Sequence, residues 1–392
     1  MSGESDEGWR AWREQNTHAP SSPPPPRPLP HPTLSSFALH PPGPCFFPFL
    51  SLKNTDYIAT SPILAACGLN KAAVAAAVPE WARLGALVAL RLGLTKGGSS
   101  DSPPPAPPST LPPSAASRIY RYYLPIFFWV RGQVEAHKKK GAGGGPLVLG
   151  INAPQGCGKT TLVSELDALA AASGLAAASV SIDDFYLTRA EQAALAAANA
   201  GNPLLELRGN AGSHDLKLGQ DTLAALASAR AGGTPVSLPR YDKAAHGGLG
   251  DRAAPEAWPS VDGPLDLVLL EGWMLGFSPV GAAAAASVSP HLPAVDAALS
   301  SYKAAWDSFA HAWLVIEAPS AECVYGWRAE AETALRAAGR GGMSEAQVKD
   351  FCDRYMPAYA AYGPGLVAAG PTTASEGRLL VVKVREDRSL DE

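Results

Sequence analysis

The sequence predicts an α/β fold: a parallel sheet with helices on both faces, preceded by an N-terminal helical and low-complexity extension. Three observations predict it. Residues 146–163, PLVLGINAPQGCGKTTLV, pass from an apolar strand through a glycine-bearing turn into a helix. From there on, apolar runs of strand length alternate with helical periodicity, the pattern of βα units that close a parallel sheet. Two of those runs end in acids, Asp183-Asp184 and Glu271. That is the carboxyl side of the strands, where such sheets bind their ligands.

In chain order, residues 1–50 are proline-rich, with Pro23 to Pro26 in succession, and are expected to be disordered. Glu4, Asp6 and Glu7 near the start are wrong for an organelle transit peptide, which is poor in acids, and no apolar signal-peptide core follows. Residues 51–96 form a helical segment around Trp81, and 97–116 (GGSSDSPPPAPPSTLPPSAA) read as a Pro/Ser linker. The main domain, 117–392, opens with Ile119, Tyr123, Ile126, Phe127, Val130 and Val134 at helical spacing, a core helix that Pro125 is expected to kink. A strand at 177–182, a long polar loop at 199–215, a helix at 218–231, a short strand at 235–238 and a buried strand at 265–270 follow. A surface loop with a short helix at 278–293, helix 296–310, strand 311–317, helices 319–338 and 344–362, and strand 378–385 complete the alternation.

Composition excludes several classes. A net charge of −4 over 17% charged residues, with no basic block longer than Lys138-Lys139-Lys140, argues against a nucleic-acid surface. The 5 cysteines are scattered and never in C-x-x-C spacing, which argues against a disulfide frame and a zinc site. No uninterrupted apolar run reaches the length of a membrane span.

The chemistry starts in the loop Ala153, Pro154, Gln155, Gly156, Cys157, Gly158, Lys159, Thr160, Thr161. Inward-pointing N–H groups and a helix N-terminus make such a loop a cradle for phosphate. Lys159 is expected to reach the β- and γ-phosphates of a nucleoside triphosphate, and the Thr160 hydroxyl to sit on Mg²⁺. The strict pattern has glycine where Ala153 stands; alanine is tolerated there if its φ is negative. Cys157 reads as a small loop residue before it reads as an oxidation-sensitive thiol.

Asp183 and Asp184 follow directly after the second strand, where a carboxylate can face the phosphate loop. Phosphoryl transfer to an alcohol uses such a group to orient the acceptor hydroxyl or take its proton, and Asp183 is the chosen base. The alternative is a helix N-cap. Glu271, closing the run Leu267–Leu270, is expected to help hold Mg²⁺; a charge so near a buried strand must find a partner. Residues 239–252 gather Arg240, Tyr241, Asp242, Lys243, His246 and Arg252 around three glycines. Its cations suit a small anionic acceptor, or are simply solvated; composition alone leaves the two even. Arg328, on a helix late in the domain, is placed to offset charge in a transition state or is solvated.

With these residues in view, the chain resembles the plant-type D-glycerate 3-kinases, within the phosphate-loop kinases that include phosphoribulokinase, uridine kinase and pantothenate kinase. The resemblance runs over about 118–388. It rests on SRIYRYYLP (117–125), APQGCGKTTL (153–162), SIDDFYLT (181–188), GNPLLELRGNAGSHD (201–215), LPRYDKAAHGGLGDRA (238–253), LLEGWMLGF (269–277) and SEAQVKDFCDRYMPAY (344–359). Residues 1–116 show none. The resemblance implies a P-loop NTPase-type fold and Mg²⁺-dependent transfer from ATP to D-glycerate, giving 3-phospho-D-glycerate. It further implies a photorespiratory role, a chloroplast location, and a monomer without nucleic-acid or membrane partners. In it the first acid of D-x-F, here Asp183, is the base, and Pro239–Asp242, followed by Arg252, belongs to the acceptor side. With Lys243 from the same segment, Arg240 and Arg252 are expected to hold the acceptor's carboxylate. Arg328 in WRAEAE matches the lid arginine. Leu249 stands where the family tends to have Arg, and Asp296 where it tends to have Asn. Uridine, pantothenate or ribulose 5-phosphate remain alternative acceptors. A nucleotide-dependent switch is the alternative from another class, though no Asn-Lys-x-Asp guanine motif occurs in the chain.

Overall fold

Apolar runs without polar alternation cannot leave one face in water, so their strands belong in the middle of the molecule. The computed structural model describes residues 52–96, 103–141, 144–337, 339 and 342–391; the segment expected to be disordered, 1–50, lies outside them. It joins β1 (Leu147–Asn152), β2 (Ala177–Ser181), β3 (Leu267–Gly272), β4 (Ala312–Glu317) and β5 (Leu379–Lys383) into one parallel sheet, ordered β2-β3-β1-β4-β5. This is the arrangement of the P-loop kinases. The register sets Glu271 of β3 opposite Ile151 of β1 on one side and Ser181 of β2 on the other. The acid at the end of β3 therefore lies between the strand feeding the phosphate loop and the strand feeding Asp183.

Alternate side chains of each strand enter two cores. Leu147, Leu149, Ile151, Leu267, Leu269, Leu314 and Ile316 face one, and Val148, Val268, Leu270, Trp313 and Val315 the other. The second core is covered by α6 (Leu216–Ser228), α7 (Leu292–Leu299) and α10 (Met356–Ala369), with α8 (Cys323–Ala337) and α9 (Glu345–Asp353) along its edge. The first holds α4 (Leu124–Lys139) and α5 (Lys159–Ala172), and outside them α1 (Leu52–Ala59), α2 (Lys71–Ala76) and α3 (Val78–Arg91). Ile58, Val74, Trp81 and Leu84 are buried in that same core. Residues 52–96 are thus an outer layer of the sheet's own core. Arg91 ties this layer to α5, donating from Nε to Glu165 Oε2 at 2.9 Å and from Nη2 to Ser164 Oγ at 2.9 Å.

Several local expectations are corrected. Composition reads 97–116 as linker, but from residue 103 the chain is packed: Ala106, Pro108 and Leu111 are buried, and the Tyr120 hydroxyl donates to the Ala106 carbonyl at 2.8 Å. Proline composition weakens helix and sheet but does not prevent burial of the rings. Pro125 lies within a continuous helical run, Pro113–Lys139, whose turns widen to a π-helix over Ser117–Tyr123 directly before it, an irregularity that accommodates the missing N–H. The polar loop 199–215 contains one helical turn, Pro203–Glu206, capped by the Asn202 side chain. The expected helix 296–310 begins at Leu292 and is interrupted, resuming at Tyr302–Ala305 and ending in a 3₁₀ turn.

Candidate active site

The loop after β1 is shaped by what it cannot accommodate. Among the described residues, the non-glycines with positive φ are His246 and Arg388, so Ala153 lies at negative φ and its buried methyl needs no glycine. Gly156, at φ +82, has no such freedom to change: a Cβ there would stand 2.6 Å from the Trp327 Cβ. Gly158, at φ +94, turns the chain into α5. Lys159 then extends to the carboxylate of Glu271, Nζ to Oε2, and both side chains are largely buried. Asn152 fixes the neighbouring chain after β3, donating to the carbonyls of Trp273 at 3.1 Å and Leu275 at 2.8 Å. Burial pushes the Cys157 thiol up to about 11, against the pull of Lys159, so it is protonated at neutral pH.

The loop opens on a cavity of ≈ 620 Å³. Pro154, Gln155, Gly156 and Gly158 to Thr161 form its phosphate side. Asp183, Tyr186, Arg208, Lys243 and Leu249 line another part, and Trp327, Arg328, Glu332 and Arg354 a third. Asp183 is held at both oxygens, by the Tyr186 hydroxyl on Oδ1 at 3.0 Å and by Lys243 Nζ on Oδ2 at 2.5 Å. Burial alone would raise its pKa, but the charges of Lys243 and Lys159 outweigh burial and hold the carboxyl well below the usual carboxylate range. Tyr186 is itself fixed by stacking on the buried His214, ring centroids 4.5 Å apart, and His214 Nδ1 shares a 2.9 Å hydrogen bond with the Tyr302 hydroxyl. Burial lowers the His214 pKa to about 3, so this imidazole is neutral.

Asp184 faces away from the cavity. It accepts the Tyr241 N–H at 3.1 Å and Arg240 Nη1 at 3.2 Å, and burial raises its pKa despite Arg240. Of the cations expected on the acceptor side, the structure brings only Lys243 to the cavity. Arg240 is spent on Asp184. Arg252 donates to the Tyr186 carbonyl at 3.1 Å and to Asp215 at 3.0 Å. Tyr241 is buried beneath the Arg208 guanidinium, 5.4 Å from its ring centroid, and Asp242 accepts the Ala244 N–H at 2.9 Å in an exposed turn. These four build the hairpin Tyr241–Asp242/Asp251–Arg252 and its seat instead of lining the cavity. Asp296 also lies elsewhere, accepting the N–H groups of Val280 at 2.8 Å and Gly281 at 3.0 Å.

Residues that motif reasoning passed over are Arg208 and Arg354. Arg208 donates to the carbonyls of Gly248 at 3.0 Å, Leu249 at 2.5 Å and Lys243 at 3.3 Å, so it carries the loop on which Lys243 stands. Arg354 pairs with Asp350 at 3.0 Å. Both lie in polar strings, GNPLLELRGNAGSHD and SEAQVKDFCDRYMPAY, in which no spacing marks a role for them. Arg328 pairs with Glu332 and lies 4.7 Å over the Phe351 ring; Glu332 Oε2 in turn accepts the Met343 N–H at 2.8 Å. Among the described residues, five cations therefore border the cavity: Lys159, Arg208, Lys243, Arg328 and Arg354.

Among the oxygen donors that line the cavity are Thr160 and Asp183, whereas Glu271 does not line it and its carboxylate meets Lys159 Nζ; no cluster of 3 or more His, Cys, Asp or Glu exists among the described residues. Few hard oxygens beside a phosphate cradle fit Mg²⁺, which keeps waters and takes phosphate oxygens for the rest of its shell.

No family model matches the chain. The D-glycerate 3-kinase, chloroplastic, of Arabidopsis thaliana is 42% identical over 337 residues, 85% of this chain and 71% of the relative. That match is longer than residues 117–392, so it reaches into the N-terminal helical layer, where the sequence alone suggested no likeness. An uncharacterized kinase of Schizosaccharomyces pombe, mug58, is 36% identical over 229 residues, 56% of this chain and 82% of the relative. The structure of a D-glycerate 3-kinase from Cryptococcus neoformans superposes with a TM-score of 0.62 at 31% identity, covering 69% of this chain and 97% of that one. With a phosphate loop, a strand-end carboxylate and a cation-lined cavity at the carboxyl ends of β1, β2 and β3, and with these relatives, the chain belongs to the D-glycerate 3-kinase family.

Proposed function

We propose that the protein transfers the γ-phosphoryl group of ATP to the 3-hydroxyl of D-glycerate, yielding ADP and 3-phospho-D-glycerate. One observation carries the assignment to this site: Asp183 borders the same cavity as the phosphate loop and is held by Lys243, a cation suited to an acceptor carboxylate. The loop N–H groups and Lys159 hold the phosphates, and Thr160 and Glu271 would hold Mg²⁺. When bound with ATP, Mg²⁺ would supply neutralisation of the phosphate charge. Asp183, ionised and held by Tyr186 at Oδ1 and Lys243 at Oδ2, orients the acceptor hydroxyl and takes its proton. As it does so, the hydroxyl oxygen bonds to the γ-phosphorus and the bond from that phosphorus to the departing ADP oxygen breaks. Lys243, carried by Arg208, pairs with the substrate carboxylate. Arg328 offsets the charge that builds on the transferred group. The protein acts as a monomer. The chloroplastic Arabidopsis relative supports the same compartment here, and with it a part in photorespiratory carbon recovery.

Purified protein with ATP and Mg²⁺ is expected to release ADP on addition of D-glycerate, and not with L-glycerate, uridine, pantothenate or ribulose 5-phosphate. A coupled ADP assay across these acceptors checks it. Release stimulated by another alcohol and not by D-glycerate would move the assignment.

A further inference from the structure

The end of the chain lies against the outside of the phosphate loop. After β5 the chain turns back on itself, with Val384 bridged to Leu390. At the turn, Arg388 takes φ 64, a left-handed conformation that a residue with a long side chain rarely adopts. Its side chain is directed to the loop and to α8 at once. Nε–H donates to the Gly156 carbonyl at 2.8 Å, Nη2 pairs with Glu330 at 2.7 Å, and the guanidinium lies 5.3 Å from the Trp327 ring centroid. The Trp327 indole N–H donates in return to the Glu386 carbonyl at 2.6 Å.

These contacts bear on the shape of the anion cradle. The peptide between Gly156 and Cys157 is fixed at both ends, its carbonyl by Arg388 and its N–H by the Pro154 carbonyl at 3.3 Å. The next peptides, which lead into α5, inherit that orientation. On the other side of Gly156, Trp327 occupies the space a side chain would need, and Arg328 follows it on the same helix. One guanidinium thus spans the phosphate loop and the helix that bears the cavity's Arg328.

We propose that Arg388 is a positioning residue of the nucleotide site, setting the phosphate loop against α8 from outside the cavity. The inference rests on the reading of the loop as a nucleotide site but not on the identity of the acceptor. Its test is calorimetric titration of ADP into the full chain and its Arg388→Ala and Arg388→Lys variants, with KM for ATP and D-glycerate and thermal midpoints measured alongside. Loss of one charge-assisted hydrogen bond and its stacking is expected to weaken ADP binding about ten-fold in Arg388→Ala. Lysine, which keeps a charged donor but not the planar stack, is expected to recover part of the loss, and KM for D-glycerate to stay as in the parent. Unchanged ADP affinity in Arg388→Ala overturns the proposal. So does an equal loss toward both substrates with a lowered midpoint, which is the mark of general destabilisation. If the alanine variant fails to fold, Arg388→Lys decides alone: ADP affinity equal to the parent's overturns it. Because ADP binding is read without acceptor, a failure of D-glycerate to stimulate turnover would strike the functional assignment and leave this measurement standing.

Discussion

Asp183 and Asp184 are neighbours in sequence, and their surroundings send them to different work. Both are substantially buried, and burial pushes both carboxyls up. Asp183 answers to Lys243 and Lys159, which prevail, whereas Asp184 has chiefly Arg240, which does not. Asp183→Asn is expected to lower kcat by about 10²–10⁴-fold, the range for a lost general base, with ADP affinity kept when measured by calorimetry. Retained turnover would remove Asp183 from the mechanism. The parent enzyme should also show no loss of kcat attributable to Asp183 until the pH falls below about 4, since a depressed pKa keeps the carboxylate ionised above the ordinary value. The place of this pair was legible because an acid after a buried strand in a βα unit has few destinations. Asp183 borders the cavity and Asp184 does not, but the partners that hold Asp183 were not legible. Tyr186 is three residues away and could be read locally; Lys243 is 60 residues away, and no spacing encodes it.

At the scale of elements, the hairpin around 239–252 explains why cations seen in sequence do not all become ligands. Each charged residue of an irregular loop must satisfy the loop's own folding before it can serve a substrate. Arg240 and Arg252 meet Asp184 and Asp215, carboxylates that lie on other segments, and so become struts. Lys243 alone of the named cations reaches the cavity, on a loop held by three carbonyl contacts from Arg208. Lys243→Met is therefore expected to raise KM for D-glycerate by about ten-fold or more, the scale of a lost charge-assisted contact, while KM for ATP stays within a factor of about two. Steady-state kinetics with each substrate varied in turn checks the split. The course of the phosphate loop, by contrast, was legible, because its backbone geometry is written in the glycines themselves, though, of the residues expected to line the cavity, Ala153 and Cys157 do not.

Across the whole molecule, the parallel sheet and its two covered faces follow from the βα alternation, and the strand order and the N-terminal layer do not. Its helices are short and alanine-rich, and nothing in their periodicity says which surface they cover. In the structure, Leu84 and Trp81 are buried in the core shared with β1 and α5. Leu84→Ala should then destabilise the sheet itself by about 2–5 kcal/mol, as for other buried leucines, and the loss should appear in one cooperative transition. A thermal melt in which Leu84→Ala shifts only a separate minor transition would show residues 52–96 to be an appendage.

The bond between Arg91 and Glu165 has a consequence for how this family varies. Glu165 is 4% exposed and belongs to α5, the helix that starts at the phosphate loop, while Arg91 belongs to the outer layer. A carboxylate so enclosed cannot be left without its cation at small cost. The two positions should therefore travel together through evolution. Relatives that keep the outer layer should keep both charges, and shorter ones should have exchanged the glutamate for a neutral residue or found it another cation. A substitution at the edge of the molecule is in this way constrained by the helix that holds the nucleotide.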